Sequence, residues 1–287
     1  MNWLLASTGM FVCSVILYLL VRKSSLLKIP LQLNNLAMFG IPFLTYMLFA
    51  YITHTILQID WYQLSVLVVM SVGFSYLGNI FSLKSIERAP NPGYSLIISK
   101  SYVVFTTIAA VLFFRASLDF RSITAIALII IGSACITLNQ KMKMIKTTDS
   151  LWLLYAFGAF FCWGLLSLAS KYAESIGIDV LPRLIYLHMI VTTLILAEMK
   201  WKQTKLISLT KGQIILLFMI GILSAGFNFF MQQGITTAPN IGFINAINAS
   251  SIAAVSVFSA IIFHDELTKQ KLLGVIMVTL GLIILVI

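Results

Sequence analysis

Apolar residues run along this chain in unbroken stretches of about 18–24, separated by short polar links. Ten stretches can be drawn, at roughly 3–21, 34–57, 62–83, 92–114, 121–139, 151–170, 180–200, 212–233, 240–262 and 270–287. A helix of about 20 residues crosses a hydrocarbon core of about 30 Å. In lipid every backbone polar group must be satisfied within the chain, so only helices or a closed barrel span it. Continuous rather than alternating runs select helices, and Pro42 inside the second run predicts a kink there. The expected class is an all-α integral membrane protein of ten transmembrane helices. Its longest gaps are about a dozen residues, too short for a soluble catalytic or DNA-binding head.

The runs repeat. Trp3, Gly9 and Cys13 recur as Trp152, Gly158 and Cys162 at an offset of 149, and Asn79 recurs as Asn228. The run Ala89-Pro90-Asn91-x-Gly93 meets Ala238-Pro239-Asn240-x-Gly242, and Gly132 meets Gly281. Apolar coincidences carry little weight here, but the chain holds only 5 Trp, 3 Cys and 6 Pro. The expected organisation is a first five-helix repeat at 1–138, a polar linker at 139–151 and a second five-helix repeat at 152–287. An odd number of spans per repeat inverts the second copy, as in many secondary transporters. The first run lacks a basic leader, and its twin lies mid-chain, so it reads as a span rather than a cleaved signal.

Composition sharpens this picture. Hydrophobic residues make up 60% of the chain and charged residues 10%, with a mean hydropathy of +1.01; soluble domains carry about 25% charged residues. The net charge of +10 does not point to nucleic acid, because the basic residues are scattered over links at the membrane edges, where they set topology and meet anionic lipid. The link between the second and third runs has no Lys or Arg, whereas its counterpart carries Lys200, Lys202, Lys205 and Lys211. The next link reverses the pattern, with Lys84 and Arg88 in the first half and none in 234–239. Equivalent links therefore lie on opposite sides. Links after odd runs hold 14 Lys/Arg against 4 after even runs, which predicts both termini on the outer face. Cys13, Cys135 and Cys162 all lie in apolar runs without CxxC or Cys/His spacing, so neither a disulfide nor a metal site is expected.

Ten spans as five plus five, with Ala-Pro-Asn-x-Gly opening the fourth helix of each half, resemble the EamA-type branch of the drug/metabolite transporter superfamily. The ending Phe263-His264-Asp265-Glu266-Leu267-Thr268, followed by Gly274 and Gly281, is similar to that family's acidic turn before the last helix of a repeat. The first half departs from it: Arg115-Ala116-Ser117-Leu118-Asp119 has no Glu where Glu266 stands. The resemblance implies a carrier of small metabolites, with members that export amino acids or drugs or exchange sugar phosphates and nucleotide sugars. It also implies both termini inside, against the charge count.

Lys100 is the sharpest candidate for chemistry. It lies about ten residues into the fourth run, close to the midplane at 1.5 Å per residue, where a charge costs at least about 2.5–3.5 kcal/mol. A lysine paired with helix carbonyls would be the structural alternative to a binding role. All nine acids lie at span ends or in links, whereas the related small multidrug carriers use a membrane-embedded glutamate. A midplane cation without a midplane anion favours a substrate bearing carboxylate or phosphate. Ser75 and Asn79 stand four apart on one helix face and recur as Ser224 and Asn228, with Gln232 a turn further and Asn245 and Asn248 on the ninth run. Such repeated polar stripes suit a shared cavity; interhelical hydrogen bonding is the plainer reading of each residue alone. Tyr102 and Trp163 complete the substrate-binding set, and His188 is a candidate for proton coupling, against the commoner role of a hydrogen-bonded core histidine.

The expected function is a secondary transporter of a small organic anion or zwitterion, working by alternating access. Export of neutral or hydrophobic amino acids or drugs is the second reading, and a non-transporting scaffold or lipid-handling subunit is the reading from another class. No deep carboxylate pair or His cluster points to an enzyme, and no G-x4-GK[ST] points to ATP. No cofactor is expected. Partners are the solute, membrane lipid and a coupling ion or counter-substrate, in a monomer or homodimer of the bacterial inner membrane.

Overall fold

A computed structural model describes residues 1–88, 92–138, 151–203, 209–264 and 267–286. Among them, ten helical spans are long and apolar enough to cross a membrane. In chain order the helices are α1 (Trp3–Leu26), α2 (Leu31–Ile52), α3 (Trp61–Val68), a π-helical stretch (Val69–Tyr76), α4 (Leu77–Arg88), α5 (Pro92–Lys100), α6 (Tyr102–Phe114), α7 (Phe120–Thr137), α8 (Leu151–Ser175), α9 (Val180–Trp201), α10 (Lys211–Thr237), α11 (Ile241–Phe263) and α12 (Lys269–Val286). The third span is α3, the π stretch and α4 in continuation; the fourth is α5 and α6. Residues 89–91, most of the linker, Lys205, Asp265 and Glu266 lie outside the described residues.

The repeat is visible in the backbone. Left-handed residues are uncommon outside glycine, and here they come in pairs at the 149-residue offset. Lys28 (φ 54) matches Gly177 (φ 83), His54 (φ 51) matches Gln203 (φ 48), and Arg115 (φ 52) matches His264 (φ 55). Each pair ends equivalent helices, where a left-handed residue stops the helix and satisfies its last carbonyls.

Packing repeats as well. A methyl on Gly9 would meet the Phe230 ring at 2.8 Å, and one on Gly158 would meet the Phe81 ring at 2.7 Å; both partners of the second contact stand 149 positions from those of the first. The bundle therefore packs α1 on α10 as it packs α8 on α4, while α2 meets its own mate α9, α6 meets α11 and α7 meets α12. At the last pair a methyl on Gly132 would stand 2.7 Å from the Gly274 carbonyl. Helices in lipid gain little by hiding apolar surface from each other, so close backbone approach over small residues supplies the contact.

Two spans depart from the uninterrupted helices expected. Capping boxes start α3 at Asp60/Gln63 and α10 at Thr210/Gln213, an offset of 150. Further along, Ser75 matches Ser224 at 149. The third span thus holds one extra residue before Ser75, and a π stretch is the helical form that absorbs one. In the fourth span the helix breaks at Ser101, whose hydroxyl donates back to the Ile97 carbonyl at 2.7 Å while its own carbonyl accepts from Val104 N at 3.0 Å. Such back-bonding offers the chain an alternative to the helical ladder. Its mate α11 runs unbroken.

Candidate functional site

A cavity of about 330 Å³ lies between the halves, lined by residues of every span except the fifth and tenth. Those two pack on each other at its flank. Lys100 lines the cavity from the last position of α5, directly before the break. The ionisable neighbours that act on it are the hydroxyls of Tyr18 and Tyr102, and no described carboxylate pairs with it. Tyr102 lies beside the Asn248 amide, whose Oδ1 is buried without a hydrogen-bond partner among the described residues.

Of the residues singled out from sequence, Lys100, Ser75, Asn79, Ser224, Asn228, Gln232, Asn248, Tyr102, Trp163 and His188 all line this one cavity. Asn245 does not. It is fully buried one layer behind, donating to Thr106 Oγ1 at 3.0 Å and accepting from Ser167 Oγ at 3.4 Å. Ser167 itself is on the wall, so Asn245 holds the wall rather than forming it.

The two Ser-x3-Asn pairs are held differently. Ser224 Oγ donates to the Met38 carbonyl at 2.9 Å, and Asn228 Nδ2 donates back to the Ser224 carbonyl at 2.8 Å. This pair clamps α10 to α2, and both residues line the cavity. In the first half the π stretch delivers Ser75 and Asn79 to the wall. Tyr76, at its end, donates to Glu198 Oε2 of α9 at 2.8 Å, and Glu198 also accepts from Lys202 at 2.5 Å. His188 is fully buried, with Nδ1 on the Leu184 carbonyl at 2.8 Å and its ring between Phe39 and Tyr46 at 5.6 and 5.3 Å. Its Nε2 has no partner among the described residues.

Tyr18, Asn35 and Ser170 also line the cavity and carried no repeat signal that would have marked them. Arg183 is a larger omission. Counted from sequence with the link before the seventh span, it is a fully buried side chain in the first turn of α9. A position four residues inside an apolar run was the available signal.

The lining is graded along its length. Ser170, Leu184, Ile235 and Gln232 at one end are buried, whereas Asn35, Asn79 and Ser82 toward the other are partly exposed. Ten crossings put the first end on the face that holds both termini and the second on the face of the basic links. Leu17, Phe39, Phe227 and Met231 make the intervening wall largely apolar.

Residues 150–287 match the model of the EamA-like transporter family. Among solved structures 29 chains match. One, a crystal structure described only as that of a protein, superposes with a TM-score of 0.80 at 10% identity, covering 98% of this chain and 96% of its own. At that identity it shows the fold alone. No curated protein sequence matches the chain. The second half of the chain thus matches the EamA-like transporter family, in keeping with a member of the drug/metabolite transporter superfamily. The chain is an integral, multi-pass membrane transporter.

Proposed function

We propose that this protein is a secondary carrier for a small organic anion or zwitterion, which binds in the central cavity and is moved by rocking of the two halves. One observation carries the reading: the ammonium of Lys100 borders a cavity between inverted repeats with no described carboxylate to neutralise it. An uncompensated charge at this depth is retained against a cost of several kcal/mol, and a solute oxyanion removes that cost. The helix break places the lysine at an irregular point of the span, as in carriers whose discontinuous helices line their sites.

The wall selects further. Lys100 and Tyr102 suit a carboxylate or phosphate, while Asn228, Gln232 and Asn248 add amides for a hydroxyl or amino group. The apolar stretch between them accepts a short hydrocarbon or aromatic body, with Trp163 as the stacking surface. An amphiphilic acid fits this wall better than a bare cationic drug. The graded burial supports a state closed toward the termini and accessible from the basic links.

Counterflow in proteoliposomes with a panel of amino acids, sugar phosphates and cationic drugs tests the reading. At least one anionic or zwitterionic solute is expected to exchange, and Lys100→Ala is expected to lower its rate by 100-fold or more, about 3 kcal/mol for a lost charged contact. Membrane abundance should hold. Exchange of cations only, or an unimpaired Lys100→Ala carrier, would overturn it.

A further inference from the structure

We propose that Arg183 is a second anion-binding residue, the one that meets the solute's carboxylate or phosphate at the end of the path opposite Lys100. The inference rests on the carrier reading above and extends it to a residue off the visible cavity wall.

Arg183 is fully buried. Its Nη1 donates to the Ser170 carbonyl of α8. Its Nε and Nη2 have no hydrogen-bond partner among the described residues. These two nitrogens share one edge of the guanidinium, and their N–H groups point the same way. That edge is the fork that takes two oxygens of one carboxylate or phosphate. An idle fork in a buried arginine is costly, since breaking such a pair strands an uncompensated charge.

The neighbouring acids do not fill it. Glu174 and Asp179 act on Arg183 through space, but Glu174 is bonded to Lys171 at 2.9 Å. Lys171 in turn donates to the Thr236 carbonyl of α10 at 2.7 Å. Gln232 of α10 donates to Ser170 Oγ at 3.2 Å and leaves its own Oε1 without a partner. Around the fork, then, α8, α9 and α10 are tied together through Ser170, and both an idle donor pair and an idle acceptor remain.

Position supplies the link to transport. The buried end of the cavity is formed by Ser170, whose carbonyl accepts from Arg183, by Leu184, the next residue along α9, and by Gln232, which is bonded to Ser170. Lys100 enters from the other face, nine residues into α5, whereas Arg183 is four residues into α9. When the halves rock and this end loosens, the fork is the first cation an anion leaving Lys100 meets. Gln232 Oε1, on the side chain bonded to Ser170, would accept from a hydroxyl or ammonium on the same solute.

Purified protein, titrated with inorganic phosphate or acetate at constant ionic strength and read by Tm, tests this directly. Wild type is expected to gain Tm saturably. Lys100→Met should keep a weaker response, which Arg183→Lys in that background weakens about tenfold further, because the ammonium keeps the charge and loses the fork. Lys100→Met with Arg183→Met should show none. Arg183→Met alone, without added anion, should unfold at a higher temperature, since it removes a buried charge with two unpaired donors. If Lys100→Met alone abolishes the whole response, Arg183 binds no anion and the Lys100 reading stands. A lower Tm for Arg183→Met marks it as a structural tie and overturns the proposal. Wild type indifferent to both anions sinks both readings together.

Discussion

At the scale of single residues, the cost of idle polar atoms gives predictions of definite sign. His188 makes one hydrogen bond, worth about 1 kcal/mol, and buries Nε2 without a partner, which costs about 1–3 kcal/mol. His188→Phe is therefore expected to unfold at the same temperature as wild type or a few degrees higher, since the ring already sits among Phe39 and Tyr46. The same variant tests proton coupling: if His188 carries the proton, a pH gradient stops driving uptake while exchange without a gradient persists. Lys100 was legible in the sequence because a lone charge in the middle of a long apolar run has few explanations. Arg183 was not, because a basic residue in the first turn of a span carries the same signature as one that only sets topology. Asn245 was legible as buried and polar, but which face of a helix meets a cavity depends on neighbours that no single stripe reveals.

Elements add a test of the repeat itself. Gly9 and Gly158 pack a ring of the opposite half at equivalent places. Gly9→Leu and Gly158→Leu should therefore lower stability by similar amounts, about 1–3 kcal/mol each for an overpacked contact, measured as thermal unfolding in detergent. A large inequality would show that the two contacts are not equivalent. Helix number and the ten-span order followed from run length, because lipid leaves the backbone no other choice. The π stretch and the break at Ser101 did not. Both arise from local exceptions inside a continuous apolar run, and hydropathy is blind to them. The one available trace of the first was the shift in offset from 150 at the capping boxes to 149 at Ser75, a difference of one residue within a strong repeat.

For the whole molecule, ten spans put both termini on one face, and the basic links lie on the other. The charge count predicts those termini outside, while the resemblance implies them inside. A reporter fused to the C-terminus, one active only outside the cytoplasm, is expected to be active; silence of that reporter with a folded protein would mean that the lysines and arginines do not set this topology. The break at Ser101 has a wider consequence, because α11 has no such break and carries Ala249 where the first half has Lys100. Were the two copies chemically alike, exchanging their shapes would present the same lining to either compartment. Here it cannot. Half-saturation should accordingly differ between the two sides of the bilayer, with the maximal rates differing in compensation, as detailed balance requires of any carrier that does no work of its own.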